Sequence, residues 1–350
     1  MALRSFAINW ILNGPLAKYL PLNTLRSLHR RFRYNRWNRA AFSDLYEHEK
    51  MLSDQVRVGN YATGIKALVQ PGQTVVDLGT GNGVLSVLAA LRKPARVYAI
   101  DHSPFIAVAR HLAATNGCSN IDFIEKNSRD IELEEKVDVI LHEQMGDDLF
   151  SENMLDNILD LKQRLLKQDG IVVPARFDLY LEPVTLYDEY RVRRFHEHKI
   201  DGVDFSSFQD NSLIDAYLSR SYDRQFLPPS AFIQRLCKPQ PLISFDLNEL
   251  RSIDEISLRH SFKRQAIADG QLDGLVLYFR CRFTDTIEFD TSPFSRHTHW
   301  GNRFFRGESQ AVKSGDQIAI NIEMGAIDIC TTWDYELRVE AAQRERVMAE

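Results

Sequence analysis

Two glutamates on either side of a glycine turn are the residues of this chain best suited to chemistry. Glu143 follows an apolar run, Val137–Leu141, and Glu152 precedes an apolar-periodic segment, with Gly146 between the two. Carboxylates held in this way can converge on one guanidinium, because carboxylate–guanidinium pairing is bidentate and geometrically specific. Their spacing alone favours an ordinary solvated acidic turn, so the choice depends on the elements around them.

The elements upstream of the glutamates have the pattern of a nucleoside site. A β-branched strand over Gln73–Leu78 runs into a G-x-G-x-G turn containing Gly79 and Gly81, and a helix follows. Glycines there permit positive φ angles and a close approach of backbone to ligand. A second strand ends at Asp101, where a carboxylate can accept both hydroxyls of a ribose. No Lys-Ser/Thr pair follows the glycines, which favours an adenosine ligand without a phosphate chain, such as S-adenosylmethionine (SAM).

The remaining pattern predicts two folded domains. Apolar runs over Ile121–Glu125, Val137–Leu141 and Gly170–Val173 complete a doubly wound, Rossmann-like α/β sheet. After Pro174 short strand-like runs predict an all-β, barrel-like domain. These runs are Phe177–Pro183, Leu242–Phe245, Glu255–Leu258, Gly274–Phe283, Thr286–Asp290, Gln317–Glu323 and Trp333–Val339. The predicted boundaries are a basic arm over 1–41, a SAM-binding domain over 42–174, a β domain over 175–340 with a helical arm near 210–232, and a flexible tail over 341–350.

Composition limits the function classes. The chain has 350 residues, 44% of them hydrophobic and 26% charged, and no apolar stretch reaches the roughly 18 residues of a membrane span. Its four cysteines are far apart and show no zinc-ligand spacing, which indicates a reducing, cytoplasmic setting and no metal. Because the body of the chain is acidic, a basic substrate is favoured over nucleic acid.

Positive charge is concentrated at the N-terminus. Residues 1–43 contain eight Lys and Arg and no Asp or Glu, while the whole chain has a net charge of −5. This arm is interpreted first as a helix that docks on the next domain or on a membrane surface. An organelle presequence, which is also Arg-rich and acid-poor, is the alternative.

With these residues in view, the chain from about Phe42 to Leu337 resembles the protein arginine methyltransferases. Four separated motifs carry the resemblance, namely His48–Arg57, Val76–Gly83 with Asp101, Glu143 with Glu152, and Thr298–Trp300. Their order and approximate spacing agree with the family. The resemblance implies methyl transfer from SAM, with S-adenosylhomocysteine as product, to arginine in a protein or peptide. It also implies a homodimer assembled through the arm near 210–232.

The resemblance assigns roles to the matching residues only. The implied catalytic residues are Glu143 and Glu152, which clamp the guanidinium, and His299 with Asp54, which form a dyad that accepts a proton. The implied cofactor residues are His48, Met51, Arg57, Asp77, Gly79, Gly81, Asp101, Ser128 and Glu143. Among them, Arg57 is assigned to the methionine carboxylate and Asp101 to the ribose. Met51 and the His299 loop resemble the branch that makes asymmetric dimethylarginine.

The acidic loop departs from the family, which usually has aromatic residues where this chain has Gln144 and Asp147. Together with Asp148, these residues predict a more polar and more acidic pocket. A different arginine context follows as an expectation, either a dedicated peptide or a small guanidino compound such as free arginine. A SAM-binding scaffold without turnover is the non-enzymatic alternative, against which the joint presence of both glutamates with Asp54 and His299 argues.

Overall fold

The structure is a computed structural model that describes residues 43–215, 217 and 222–342, together with residue 21. The predicted basic arm, apart from residue 21, and residues 343–350 of the predicted tail lie outside the described residues. Among the helices of the described part, none is long and apolar enough to cross a membrane.

The first unit of the described chain is a five-stranded parallel sheet with helices packed around it. Its strand order is β3-β2-β1-β4-β5, so the order reverses between β1 and β4, where α/β sheets bind ligands. The predicted Rossmann-like sheet is thereby confirmed. The elements are α1 (Leu45–Ser53), α2 (Gln55–Leu68), β1 (Thr74–Leu78), α3 (Val84–Ala90), β2 (Arg96–Asp101), α4 (Ile106–Thr115), β3 (Ile121–Glu125), β4 (Val137–His142), α5 (Met154–Leu165) and β5 (Leu166–Val173).

Burial explains why these segments form central strands. All five residues of β1 are buried, and β1 pairs with β2 on one side and β4 on the other. Strands covered on both faces require continuous apolar and β-branched runs. Asp77 is the charged exception in β1, and its surroundings belong to the site described below.

The second unit is antiparallel. In the described residues a sheet of order β10-β6-β13-β15-β9, with β11 and β14 attached, faces a smaller sheet of order β12-β16-β17. Large side chains such as Phe177, Phe279, Phe305 and Trp333 are fully buried between the elements. The principal strands are β6 (Arg176–Leu186), β9 (Arg224–Leu227), β10 (Phe232–Arg235), β11 (Pro241–Asp246), β12 (Arg259–Gln265), β13 (Gly270–Arg282), β14 (Glu288–Asp290), β15 (Asn302–Val312), β16 (Gln317–Met324) and β17 (Trp333–Glu340).

The segment between β6 and β9 forms an excursion with short elements. It contains the two-residue strands β7 (Lys199–Ile200) and β8 (Val203–Asp204), three turns of 3-10 helix and the short helix α6 (Ser212–Asp215). Phe195, Phe205 and Phe208 pack against one another within it. The excursion begins well before residue 210, the predicted start of the arm.

Two details of the predicted β domain were wrong. The arm was predicted to continue to residue 232, but Arg224–Leu227 pairs with β15 and Phe232 begins a strand that pairs with β6. These strands have only four residues each, too few to display alternation. The predicted strand Glu255–Leu258 is instead entered by a 3-10 turn, Ile253–Glu255, and the strand follows as β12.

Candidate active site

Asp77, near the end of β1, hydrogen-bonds to residues of the glycine-rich turn and of the helix after it. Its side chain is fully buried, and its Oδ2 accepts hydrogen bonds from Thr80 Oγ1 at 2.8 Å and Ser86 Oγ at 2.6 Å. Burial raises the pKa of Asp77 to about 6 in spite of these two donors. Gly79 and Gly81 follow with φ angles of 74° and 52°, which glycine adopts without strain. Asp77 thus fixes the conformation of the turn.

Asp101, at the end of β2, ties the second strand to the same turn. Its Oδ2 accepts the Gly81 N–H at 2.9 Å, and its Oδ1 accepts the Ser103 N–H at 2.7 Å. Each carboxylate oxygen has two lone pairs, so each retains capacity for a ligand hydroxyl. The predicted position of a ribose-binding carboxylate is therefore beside the turn.

Helix α1 closes over the glycine turn through His48. The ring stacks on Phe105, with centroids 4.0 Å apart and planes 5° from parallel. A Cβ at Gly81 would lie 2.8 Å from His48 Cε1, so only glycine permits this approach. The sequence analysis missed Phe105, since no motif marks an aromatic residue four positions after Asp101.

Arg57 and Glu143 form a nearly buried ion pair. Arg57 Nη2 lies 2.9 Å from Glu143 Oε2, and Nη1 donates to the Met51 carbonyl at 3.2 Å. Burial opposes the charge on Arg57, but Glu143 outweighs it, so the pKa of Arg57 is raised. The sequence analysis gave these residues separate partners, the cofactor carboxylate for Arg57 and the substrate for Glu143. In the structure they contact each other.

Glu152 approaches this pair because Gly146 lets the acidic loop fold tightly. A Cβ at Gly146 would lie 2.0 Å from Ser151 Oγ and 3.3 Å from Glu152 Cγ. Burial, and then the nearby carboxylates of Glu143 and Asp147, raise the pKa of Glu152 to about 8. No hydrogen bond from the described part of the chain stabilises its charged form. A pKa of about 8 leaves the Glu152 carboxyl mostly protonated at neutral pH.

Asp54 joins α2 to the loop that carries His299. It is the N-cap of α2, where Oδ1 accepts the Arg57 N–H at 2.9 Å. Its Oδ2 accepts the His299 backbone N–H at 2.9 Å and lies 3.0 Å from His299 Nδ1. Burial alone would raise the pKa of Asp54, but the hydrogen bonds from His299 and Arg57 lower it overall. The predicted dyad thus has hydrogen-bonding geometry, with Nε2 left as the proton-exchanging nitrogen.

Asp147 and Asp148 fasten the acidic loop to the His299 loop. Asp147 Oδ1 accepts the Gly301 N–H at 2.7 Å, and Asp148 forms a bidentate pair with Arg303 at 2.6 and 2.9 Å. The expectation that both residues make the pocket more acidic is therefore wrong for Asp148, whose charge Arg303 neutralises. Burial raises the pKa of Asp147.

Gln144 lies against the glycine-rich turn. Its Oε1 accepts a hydrogen bond from Asn157 Nδ2 on α5 at 2.8 Å. Its Nε2 would lie 3.1 Å from a Cβ at Gly79. The polar side chain that replaces the family's usual aromatic residue thus contacts the glycine turn.

Ser128 begins a short 3-10 turn after β3. Its carbonyl accepts a hydrogen bond from Arg164 Nη2 at 2.8 Å, and Arg129 Nη1 lies 3.8 Å from Asp160 Oδ1. Within the described residues, no cluster of His, Cys, Asp and Glu has the geometry to hold a metal ion.

Two family models match this chain. A family model described as "Methyltransferase domain" matches residues 70–209, and one described as "Arginine methyltransferase oligomerization subdomain" matches residues 177–342. The two matches overlap over residues 177–209 and follow the order of the two structural units. The chain is therefore built as a methyltransferase domain followed by an arginine methyltransferase subdomain.

Individual relatives make the assignment specific. Protein arginine N-methyltransferase 6 of Danio rerio is 30% identical over 268 residues, which are 74% of this chain and 76% of the relative. Protein arginine N-methyltransferase 6 of Xenopus laevis is 28% identical over 303 residues, 82% of this chain and 86% of the relative. This chain belongs to the protein arginine N-methyltransferase family, which confirms the resemblance inferred from the motifs.

Solved structures agree with this assignment. The Trypanosoma brucei PRMT1 enzyme–prozyme heterotetrameric complex with AdoHcy is 25% identical, with a TM-score of 0.72 over 87% of this chain and 96% of that one. Arabidopsis thaliana protein arginine methyltransferase 10 is 26% identical, with a TM-score of 0.69 over 86% of this chain and 94% of that one. The fold is shared across nearly the whole length of these proteins.

Proposed function

We propose that this protein transfers the methyl group of SAM to a guanidino nitrogen of arginine in a protein or peptide. The observation that carries the proposal is the ion pair between Glu143 and the guanidinium of Arg57, at 2.9 Å. The nearby Glu152 carboxyl receives no hydrogen bond from the described part of the chain. Glu143 thus already binds the chemical group that the substrate presents. A second guanidinium beside it would meet both carboxyls.

The residues around the glycine turn fit SAM. Glycines with positive φ allow the backbone to approach a ligand, and Asp101 retains lone pairs for the ribose hydroxyls. His48 covers the turn from α1, and Met51 on the same helix accepts a hydrogen bond from Arg57. Asp77 accepts hydrogen bonds from Thr80 and Ser86 at the turn, and Ser128 lies in the loop after β3. Arg57 is shared between Glu143 and the methionine carboxylate. Bound SAM supplies an electrophilic methyl group on a sulfonium.

The clamp makes the guanidinium nucleophilic. Its lone pairs are delocalised and it stays protonated at ordinary pH, which makes it a poor nucleophile. Glu143 and Glu152 draw positive charge toward the two nitrogens they hold and leave the third nitrogen richer in electrons. Glu152 loses its proton as the guanidinium enters, because a neighbouring cation lowers a carboxyl pKa. Holding the nitrogen in line with the methyl group lowers the activation free energy further, because the reacting atoms are already close together and oriented.

The Asp54–His299 dyad removes the remaining proton. Asp54 holds Nδ1 and stabilises the imidazolium that forms when Nε2 accepts a proton, directly or through water. Self-association is part of the same proposal, through the excursion between β6 and β9. Its exposed apolar side chains supply an unburied surface: Val192, Phe195, Ile200, Val203, Leu213 and Tyr217.

The test is intact-mass analysis of arginine-containing peptides and free arginine after reaction with SAM. We expect mass gains of one or two methyl groups on peptides, and losses above about 100-fold in Glu143→Gln and Glu152→Gln. Binding of S-adenosylhomocysteine to both variants, measured by calorimetry, should remain. Full activity in both variants would refute the clamp. Methylation of free arginine alone would assign the small-molecule reaction instead.

A further inference from the structure

A cavity of about 760 Å³ lies where α1 and the start of α2 face the β domain. The same Thr-His-Trp loop that carries His299 forms one wall, and Phe226 with the following prolines forms another. Its volume is within the range of roughly 300–1,000 Å³ for binding pockets. The dyad residue Asp54 lines it as well, so the cavity adjoins the reaction site.

Positive charge distinguishes this cavity from the clamp. Lys50 and Arg296 carry this charge, His297 lines the cavity as well, and Arg296 and His297 are exposed to solvent. Lys50 pairs with Glu47 at 3.9 Å, and solvent screens this pair strongly because both side chains are more than 40% exposed. Among the described lining residues, the one carboxylate is Asp54, which His299 and the Arg57 N–H already engage.

The cavity also has an apolar wall. The Phe226 ring is 50% exposed, and its other face is occupied by the Arg303 guanidinium, 3.9 Å from the ring centroid. Pro228 and Pro229 continue this wall. A flat aromatic ring next to flexible cations suits a short extended peptide that carries a carboxylate side chain.

We propose that this cavity binds acidic side chains of the substrate polypeptide, so that the enzyme selects arginines that have Asp or Glu nearby in the sequence. The inference rests on the proposed function and adds a substrate class to it. The clamp takes the cation of the target arginine, and Lys50 with Arg296 takes the neighbouring anion. The chain's own N-terminal 43 residues carry eight positive charges and no acid, which is the opposite of the charge that the cavity favours.

The experiment compares two peptides with one central arginine, one flanked by Asp and Glu and the other by Lys. Methylation gives kcat and KM, and fluorescence anisotropy with S-adenosylhomocysteine present gives binding without turnover. We expect the acid-flanked peptide to be favoured about three- to tenfold, in KM and in binding, with the preference declining as salt rises. Arg296→Glu and Lys50→Glu should remove or reverse it. Lys238→Glu, an exposed position outside the cavity, is the matched charge control and should retain it.

Equal use of both peptides, or an unchanged preference in both cavity variants, would overturn the inference. The two proposals fail in different ways. Charge-selective binding that Arg296→Glu abolishes, without methyl transfer to either peptide, would support the cavity and refute the methyltransferase activity. Methylation of both peptides at equal KM would do the reverse. A preference that Lys238→Glu abolishes equally would show a diffuse effect of net charge and would also overturn the cavity's role.

Discussion

Replacing Glu152 by Gln should make the protein more stable at alkaline pH while it removes activity. The Glu152 carboxyl has a pKa raised from 4.5 to about 8 by burial and by the neighbouring Glu143. Below a pH of about 4.5 the group is protonated in both the folded and the unfolded state, and its raised pKa then costs the folded protein nothing. As pH rises from about 4.5 through 8, the unfolded group ionises before the folded one, and the free energy of unfolding falls. Glutamine has the same shape and no charge, so it avoids this loss.

The size of the effect follows from the shift. One pKa unit corresponds to about 1.4 kcal/mol, so the full shift is worth at most about 5 kcal/mol above pH 8. Between pH 6 and pH 9 the penalty grows by roughly two units, an upper bound of about 3 kcal/mol. Glu152 is only partly buried, and relaxation lowers the cost further. We expect the advantage of Glu152→Gln over wild type to grow by about 1–2 kcal/mol across this range.

Thermal unfolding of the free proteins at pH 6, 7, 8 and 9 measures this difference. The melting temperature of Glu152→Gln should rise relative to wild type by about 2–6 °C between the extremes. Glu288→Gln, at an exposed glutamate on β14, is the matched control and should show no pH-dependent gain. A constant difference between Glu152→Gln and wild type at all four pH values would refute the raised pKa.

Two further changes examine the ion pairs of the site. Asp148→Asn should lower the free energy of unfolding in urea by about 2–4 kcal/mol, because it leaves Arg303 charged and nearly buried. The double variant Asp148→Asn/Arg303→Met should recover part of this loss. Additive losses from the two substitutions would contradict the argument. Arg57→Lys keeps the charge but loses the planar fork, so it should weaken S-adenosylhomocysteine binding about tenfold or more by calorimetry, while Glu143→Gln stays within about threefold of wild type. Wild-type affinity in Arg57→Lys would remove Arg57 from the cofactor site.

The parallel sheet was predictable because its information is local. A strand such as β1 is buried on both faces and carries β-branched residues, and the positive-φ turn after it needs glycine at Gly79 and Gly81. The segment β15 was missed because its residues Asn302–Val312 alternate poorly and include Gly307. The latter lies against the Asp273 carbonyl and Gly274 of the neighbouring strand, which is a property of the pairing and not of the segment.

The contacts within the site were predictable only in part. Motifs in register identify Asp54, His299, Glu143 and Glu152 in the sequence. The structure brings Asp54 and His299 together, while the clamp by the two glutamates stays a prediction. Their actual partners depend on contacts between residues far apart in the chain. Asp148 meets Arg303 across 155 positions, and no local pattern in the acidic loop indicates that pairing. The expectation of a more acidic pocket, drawn from the family's aromatic residues, is overturned for Asp148 by its contact with Arg303.

The partners of the acidic groups set Glu152 apart as the carboxyl that the proposed reaction would use to respond to substrate. Five carboxyl groups surround the reaction site: Asp54, Glu143, Asp147, Asp148 and Glu152. Arg57 and Arg303 each neutralise one of them, and hydrogen-bond donors of the His299 loop hold two more. Glu152 alone receives no hydrogen bond from the described chain. In the proposed reaction its negative charge would be stabilised by the incoming substrate cation, so that ionisation of Glu152 would be coupled to the arrival of the guanidinium.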